Sequence, residues 1–255
     1  MKRPLIFFIL LATSSVAFLG CKSHYHLTTV ERSRILIDQR YDAHPDAAAT
    51  AFLAPYKAVV DSIMSPVVGQ TAQYLDKGRP ESLLSNVLTD VLVWGSQRFN
   101  EHPDFAVYNM GGMRAAIAKG TTTFGDILEV APFENKICFL TLTGEKTLEL
   151  FSQIARRGGE GLSHGVEMVI SRDGELISVR VNGEPIDPQR TYRVATLDYL
   201  AQGNDGLKAF KDGTDVLSPQ TEENNVRYII MDYYRAEAAQ GRAVDAKIEG
   251  RVVVK

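Results

Sequence analysis

The sequence predicts an α+β domain in which a mixed β-sheet is layered with helices. Stretches with apolar residues at helical spacing are interspersed with short β-type runs, and the two do not follow a strict β-α-β alternation. Composition agrees. Of 255 residues, 45% are hydrophobic and 23% charged, close to globular averages, and no segment reads as low-complexity or as an internal repeat. That length allows one sizeable core, so one domain is expected.

The first element is not part of that core. Met1, Lys2 and Arg3 precede an apolar run over residues 5–19, a basic n-region and an h-region too short to cross a bilayer stably, which predicts an export signal. It closes on Ala17-Phe18-Leu19-Gly20-Cys21, which resembles the lipobox of bacterial lipoproteins, where the Cys is acylated after cleavage; Leu19 stands where a small residue is usual. An ordinary cleaved signal with an incidental Cys, or an uncleaved anchor, is the alternative. Acylation would hold the protein on a membrane, since each buried CH₂ contributes about 0.8 kcal/mol. The expected layout is a lipoprotein signal peptide over residues 1–21 with Cys21 as the acylation site, a tether over 22–45 and a folded domain over 46–255. The expected location is exported and membrane-anchored, on the periplasmic face or the cell surface.

Along the tether, residues 33–38 allow one short strand. Phe52, Tyr56, Val59, Val60 and Ile63 then recur at helical spacing, predicting an amphipathic helix over 46–64 that Pro66 closes. A strand is expected over 67–75. A second helix over 81–99 carries Leu84, Val87, Leu88, Val91 and Leu92 on one face, and both helices are expected to cover a sheet. Further strands are predicted over 105–108, 136–143, 165–171, 177–181 and 192–196. A hairpin is expected at Arg172-Asp173-Gly174-Glu175, because Asp-Gly supplies the turn. Helices are predicted over 124–130, 144–157 and 222–240.

Charge and reactive residues exclude several classes. A net charge of −3, with no Lys/Arg cluster interleaved with aromatics, gives no field for nucleic acid. Cys138 lies in the apolar run Ile137-Cys138-Phe139-Leu140 and reads as a buried structural thiol. The five histidines, His24, His26, His44, His102 and His164, stand in no D-x-H, N-H-E or G-H-x-H context. His24-Tyr25-His26 is formally H-x-H, but a tether cannot preorganise a metal pair.

Three motifs are candidates for chemistry. Asn109-Met110-Gly111-Gly112-Met113-Arg114 follows the strand at 105–108; its glycines let a ligand approach the backbone, while Asn and Arg offer donors to ribose hydroxyls or an acidic group. Alone it is also a Gly-Gly turn with a solvent-facing Arg. Pro132-Phe133-Glu134-Asn135 offers a flat aromatic face and an amide able to read a base edge, although a core Phe beside a turn is the commoner situation. In the segment running from Thr196-Leu197-Asp198-Tyr199 to Gly203-Asn204-Asp205-Gly206, Tyr199 supplies a second aromatic and Asp205 an acceptor, or the segment is a strand ending in a Gly-rich turn.

The order and spacing of these motifs resemble the C-terminal domain of the 5′-nucleotidase and UDP-sugar hydrolase family. They are preceded by Glu81-Ser82-Leu83-Leu84-Ser85-Asn86 and joined by Leu142-Thr143-Gly144, by the run from Val181-Asn182-Gly183 to Asp187-Pro188 and by Thr191-Tyr192-Arg193-Val194-Ala195-Thr196. The resemblance extends over residues 51–249 and implies an α/β module that binds the nucleoside part of a substrate. It implies that Asn109 and Arg114, with Gly111 and Gly112 between them, hold the ribose or a nearby acidic group. By the same resemblance Phe133 and Tyr199 sandwich the base, Tyr replacing the more usual Phe, while Asn135 reads the base and Asp205 binds ribose. Arg79 lies near a position where the family often has a phosphate-side Arg. Asn204 replaces a usual Gly, and Leu83 and Ser85 stand where Asn and Gly are more frequent.

In that family, hydrolysis belongs to an N-terminal metallophosphoesterase domain with two metals, and no such domain is recognisable in this sequence. The expectation is therefore the nucleotide-binding half of a split 5′-nucleotidase in extracytoplasmic nucleotide catabolism, inactive alone, with divalent metals only in a separately encoded catalytic partner. The alternative is a non-catalytic lipoprotein that captures nucleosides or nucleotides, or an interaction module. Expected partners are the ligand, that catalytic chain and the membrane, and not nucleic acid.

Overall fold

The computed structural model describes residues 25–255, so the expectations for the export signal, Cys21 and His24 lie outside the described residues. By internal contacts residues 53–255 form one compact unit. Residues 25–37, taken by themselves, carry no regular secondary structure and a turn follows. The predicted strand at 33–38 is not formed. Asp38 instead accepts hydrogen bonds from the backbone and side chain of Arg40, and local bonds of this kind compete with extended pairing.

Helix α1 (Ala47–Met64) forms where its periodicity predicts. Its expected role in covering a sheet does not hold: Leu53, Val59, Val60 and Ile63 are all exposed. The strands it would have covered are already buried on both faces, as consecutive rather than alternate burial along β2 (Phe105–Tyr108) and β4 (Ile137–Thr143) shows.

The other elements follow the sequence closely. Strand β1 (Val67–Thr71) stops short of the predicted end at 75, and Leu75 makes only an isolated bridge to Ile117. Helix α2 (Leu83–Ser96) opens on a reciprocal cap in which Ser82 and Ser85 exchange side-chain and backbone hydrogen bonds, a stabilising role for a residue that departs from the family's usual Gly. Strand β3 (Gly120–Thr123) pairs antiparallel with β1 and leads into α3 (Phe124–Val130). After β4 come α4 (Gly144–Arg156), β5 (Gly161–Leu162) and a hairpin of β6 (Val166–Ile170) with β7 (Leu176–Val181) around the predicted Asp-Gly turn. Strand β8 (Glu184–Pro185), β9 (Thr191–Leu197), the single turn α5 (Asp198–Ala201), β10 (Thr214–Leu217), α6 (Val226–Ala239) and β11 (Val252–Val254) complete the chain.

The central sheet has the order β10-β4-β9-β2-β5, and a second sheet the order β11-β6-β7-β8. Helix α2 packs on β2, β5 and β9, α4 bridges β4 and β7, and α6 rests on β1 and α2. Between them lies one apolar core that includes Leu88, Phe105, Phe139, Phe151, Val194 and Tyr234. Cys138 is fully buried in β4, and that burial pushes its thiol up to about 11.

Candidate functional site

Sheet register decides where the motifs meet. Strands β4 and β9 run antiparallel with Ile137 opposite Leu197, so the residues entering β4 and those leaving β9 emerge at the same end. Asp198 clips the two together: its carboxylate accepts from the backbone N–H of Lys136 and its own N–H donates to the Lys136 carbonyl. Strand β2 runs parallel to β9, with Ala106 opposite Ala195, so the chain leaving β2 joins them there. The N–H of Arg114 then donates to the Val130 carbonyl at 2.9 Å, tying the first loop to the helix that precedes the second.

Asn109, Gly111, Gly112, Arg114, Phe133, Asn135, Tyr199 and Asp205 consequently line one cavity of about 340 Å³. Phe133 and Tyr199 are large aromatics left 47% and 37% exposed, which leaves ring surface available to a flat partner. Arg79 is not among these residues. It lines an adjoining cavity of about 220 Å³ with Lys77, Gly78, Met110 and Gly111, so the two spaces share Gly111.

Hydrogen bonds hold the polar side of the cavity. Asn109 Nδ2 donates to Asp205 Oδ2 at 2.6 Å, and the Tyr199 hydroxyl donates to Asp205 Oδ1 at 3.1 Å. Desolvation and the hydrogen bond to Asp205 raise the Tyr199 pKa, so the phenol keeps its proton and remains a donor. A carboxylate has roughly four acceptor sites, so Asp205 keeps capacity for further donors. Asn109 Oδ1 is buried and accepts no hydrogen bond within the protein. A Cβ at Gly112 would lie 2.6 Å from Asn109 Oδ1, so a larger residue there would displace the Asn109 side chain.

Asp205 sits in the left-handed region at φ 54°, between Gly203 and Gly206, both also at positive φ. Asn204 is outside that region, so replacing the family's usual Gly there costs no backbone strain, and its side chain donates to the Tyr199 carbonyl at 2.8 Å.

Sequence reasoning missed Arg157 and Glu160. Glu160, in the link between α4 and β5, pairs with both Arg79 and Arg157, and Arg157 reaches Asp205 at 3.8 Å. The run Arg156-Arg157-Gly158-Gly159-Glu160, charges around a Gly pair at a helix end, is the signal that marks them. Among the described residues, no group of three or more His, Cys, Asp or Glu side chains is arranged to hold a metal ion.

The profile of the family described as 5′-nucleotidase, C-terminal domain, matches residues 67–212. Protein UshA of Escherichia coli (strain K12) is 28% identical over 159 residues, covering 61% of this chain and 29% of UshA. A 5′-nucleotidase of Vibrio vulnificus (strain CMCP6) is 28% identical over 165 residues, 63% of this chain and 30% of that protein. These matches therefore cover under a third of each relative's length. Among solved structures, the 5′-nucleotidase precursor from Thermus thermophilus superposes with a TM-score of 0.69 at 27% identity, over 81% of this chain and 43% of its own.

Proposed function

Because the chain belongs to the 5′-nucleotidase C-terminal domain family, we propose that it binds nucleosides or nucleotides in the cavity bounded by Phe133, Tyr199, Asn109 and Asp205. One observation carries this reading: two exposed aromatic rings and an Asn-Asp pair from three separate segments line a single cavity of about 340 Å³. A nucleoside has the matching chemistry, a flat base joined to a vicinal diol. The rings offer stacking surface, Asn135 offers an amide to a base edge, and Asp205 offers acceptor capacity to ribose hydroxyls. Arg79 and Lys77 in the adjoining cavity would meet an anionic group on the ligand. Stacking is worth roughly 1–3 kcal/mol per base, so the aromatic pair supplies much of the affinity.

On this reading the chain is the substrate-binding half of a split hydrolase, with the water-activating divalent metals held by a separate metallophosphoesterase chain. We further propose that it is exported and anchored through acylated Cys21, which would keep both halves at one membrane surface. Calorimetric titration with adenosine and AMP, run beside a phosphate-release assay with added Mn²⁺, Co²⁺ or Zn²⁺, tests the proposal. Binding without hydrolysis is the expected result. Metal-dependent phosphate release by this chain alone would overturn the split arrangement, and failure to bind either compound would overturn the site.

A further inference from the structure

Glu160 is a fully buried carboxylate outside the lining of the described cavity, yet the groups it holds border that cavity: Arg79 and Met110 line the adjoining one, and Arg157 reaches Asp205. Its Oε1 accepts from Arg79 Nη2 and from Arg157 Nε, both at 2.5 Å, and its Oε2 accepts from the backbone N–H of Met110 at 2.5 Å. Met110 directly follows Asn109. Arg79 lines the adjoining cavity and also donates through Nε to the Gly159 carbonyl at 2.8 Å. Arg157 continues to Asp205, which in turn accepts from Asn109 and Tyr199.

A buried carboxylate is costly to keep, and apolar residues of similar volume serve stability as well or better, so an ion triad of this kind is weak evidence for a stabilising role. What this one does is join three segments distant in sequence. The segment that delivers it is itself close-packed: Gly159 has φ 104°, and a Cβ there would lie 2.5 Å from the Pro80 carbonyl oxygen. We propose that Glu160 is the positioning residue of the site, fixing the 109–112 loop through Met110 N–H and setting the guanidiniums of Arg79 and Arg157 where a nucleotide meets them. The proposal rests on the nucleotide-binding reading for its ligand, but its hold on the loop is a property of the free protein.

The test uses the full chain carrying Glu160→Gln, with Ile170→Val in β6 as a control for lost stability. A glutamine amide must turn its NH₂ toward a guanidinium or toward Met110 N–H, donor against donor. In the free protein, the amide resonances of Met110, Gly111 and Gly112 are expected to move in E160Q and to stay in I170V. Affinity for AMP is expected to fall at least tenfold in E160Q and less than twofold in I170V. If E160Q does not fold, Glu160→Asp, one methylene too short to reach all three partners, is read in the same way. Unmoved amide resonances, or AMP affinity within twofold of the parent in a folded variant, would overturn the proposal. A parent chain that binds no AMP defeats the nucleotide reading instead, and the amide resonances then decide whether Glu160 holds the loop.

Discussion

Asp205 combines an uncommon backbone conformation with a central place in the cavity's hydrogen bonds. Its left-handed backbone is a conformation that Asp tolerates better than most residues, and holding it there turns the carboxylate toward Asn109 and Tyr199. Removing the Tyr199 hydroxyl with Tyr199→Phe should leave base stacking in place and weaken adenosine binding by less than about tenfold, the scale of one net hydrogen bond of about 1 kcal/mol. The double variant Phe133→Ala/Tyr199→Ala removes the stacking surface itself, and calorimetry should show affinity falling by about two decades or more while the cooperative thermal transition remains. Cys138 offers a different check at this scale. With its thiol buried and pushed up to about 11, native protein at neutral pH should show negligible iodoacetamide labelling of the Cys138 peptide by mass spectrometry, and full labelling once unfolded. The cavity residues were legible in the sequence because each sits in a short motif whose side chains already suggest a ligand. Glu160 was not, because its meaning depends on partners 50 to 81 residues away that only the fold brings near.

At the scale of elements, two family-like motifs prove to be halves of one contact. The N–H of Gly144 donates to the Arg190 carbonyl at 2.7 Å, and a Cβ on Gly144 would fall onto the Asp187 carbonyl, so the start of α4 is seated directly on the loop after β8. Gly144→Ala should therefore destabilise the domain by about 3 kcal/mol or more, as overpacking against rigid backbone does, measured by urea unfolding. Strand β9 is secured at its other edge by Arg193, whose guanidinium donates to Glu101 at 2.6 and 2.7 Å and holds that carboxyl below the usual glutamate range. The resulting stability is present above the unfolded pKa of about 4.3 and is lost as pH falls through the lowered folded value. Glu101→Gln should lower stability at neutral pH by about 1.5–3 kcal/mol and flatten the acid limb of a melting-temperature profile. Strands whose apolar pattern is strong, such as β2, β4 and β9, were predicted to within a residue or so. Gly-Thr-Thr-Thr of β3, the exposed β10 and the two-residue β5 and β8 have no pattern of their own and exist as strands only because a partner is in register.

For the whole molecule, family membership and the α+β architecture were both readable from the order of motifs, while the exposed face of α1 was not, since periodicity reports amphipathicity and says nothing of what covers it. The cavity opens where the chain leaves β2 and β9 and enters β4, three neighbouring strands of one sheet. A ligand seated there acts as a staple across the sheet, and its binding energy is returned as resistance to unfolding. At a free ligand concentration of a hundred times Kd this linkage amounts to about 2.7 kcal/mol. The protection should appear far from the ligand, as slower amide exchange in the middle of β4 and β9.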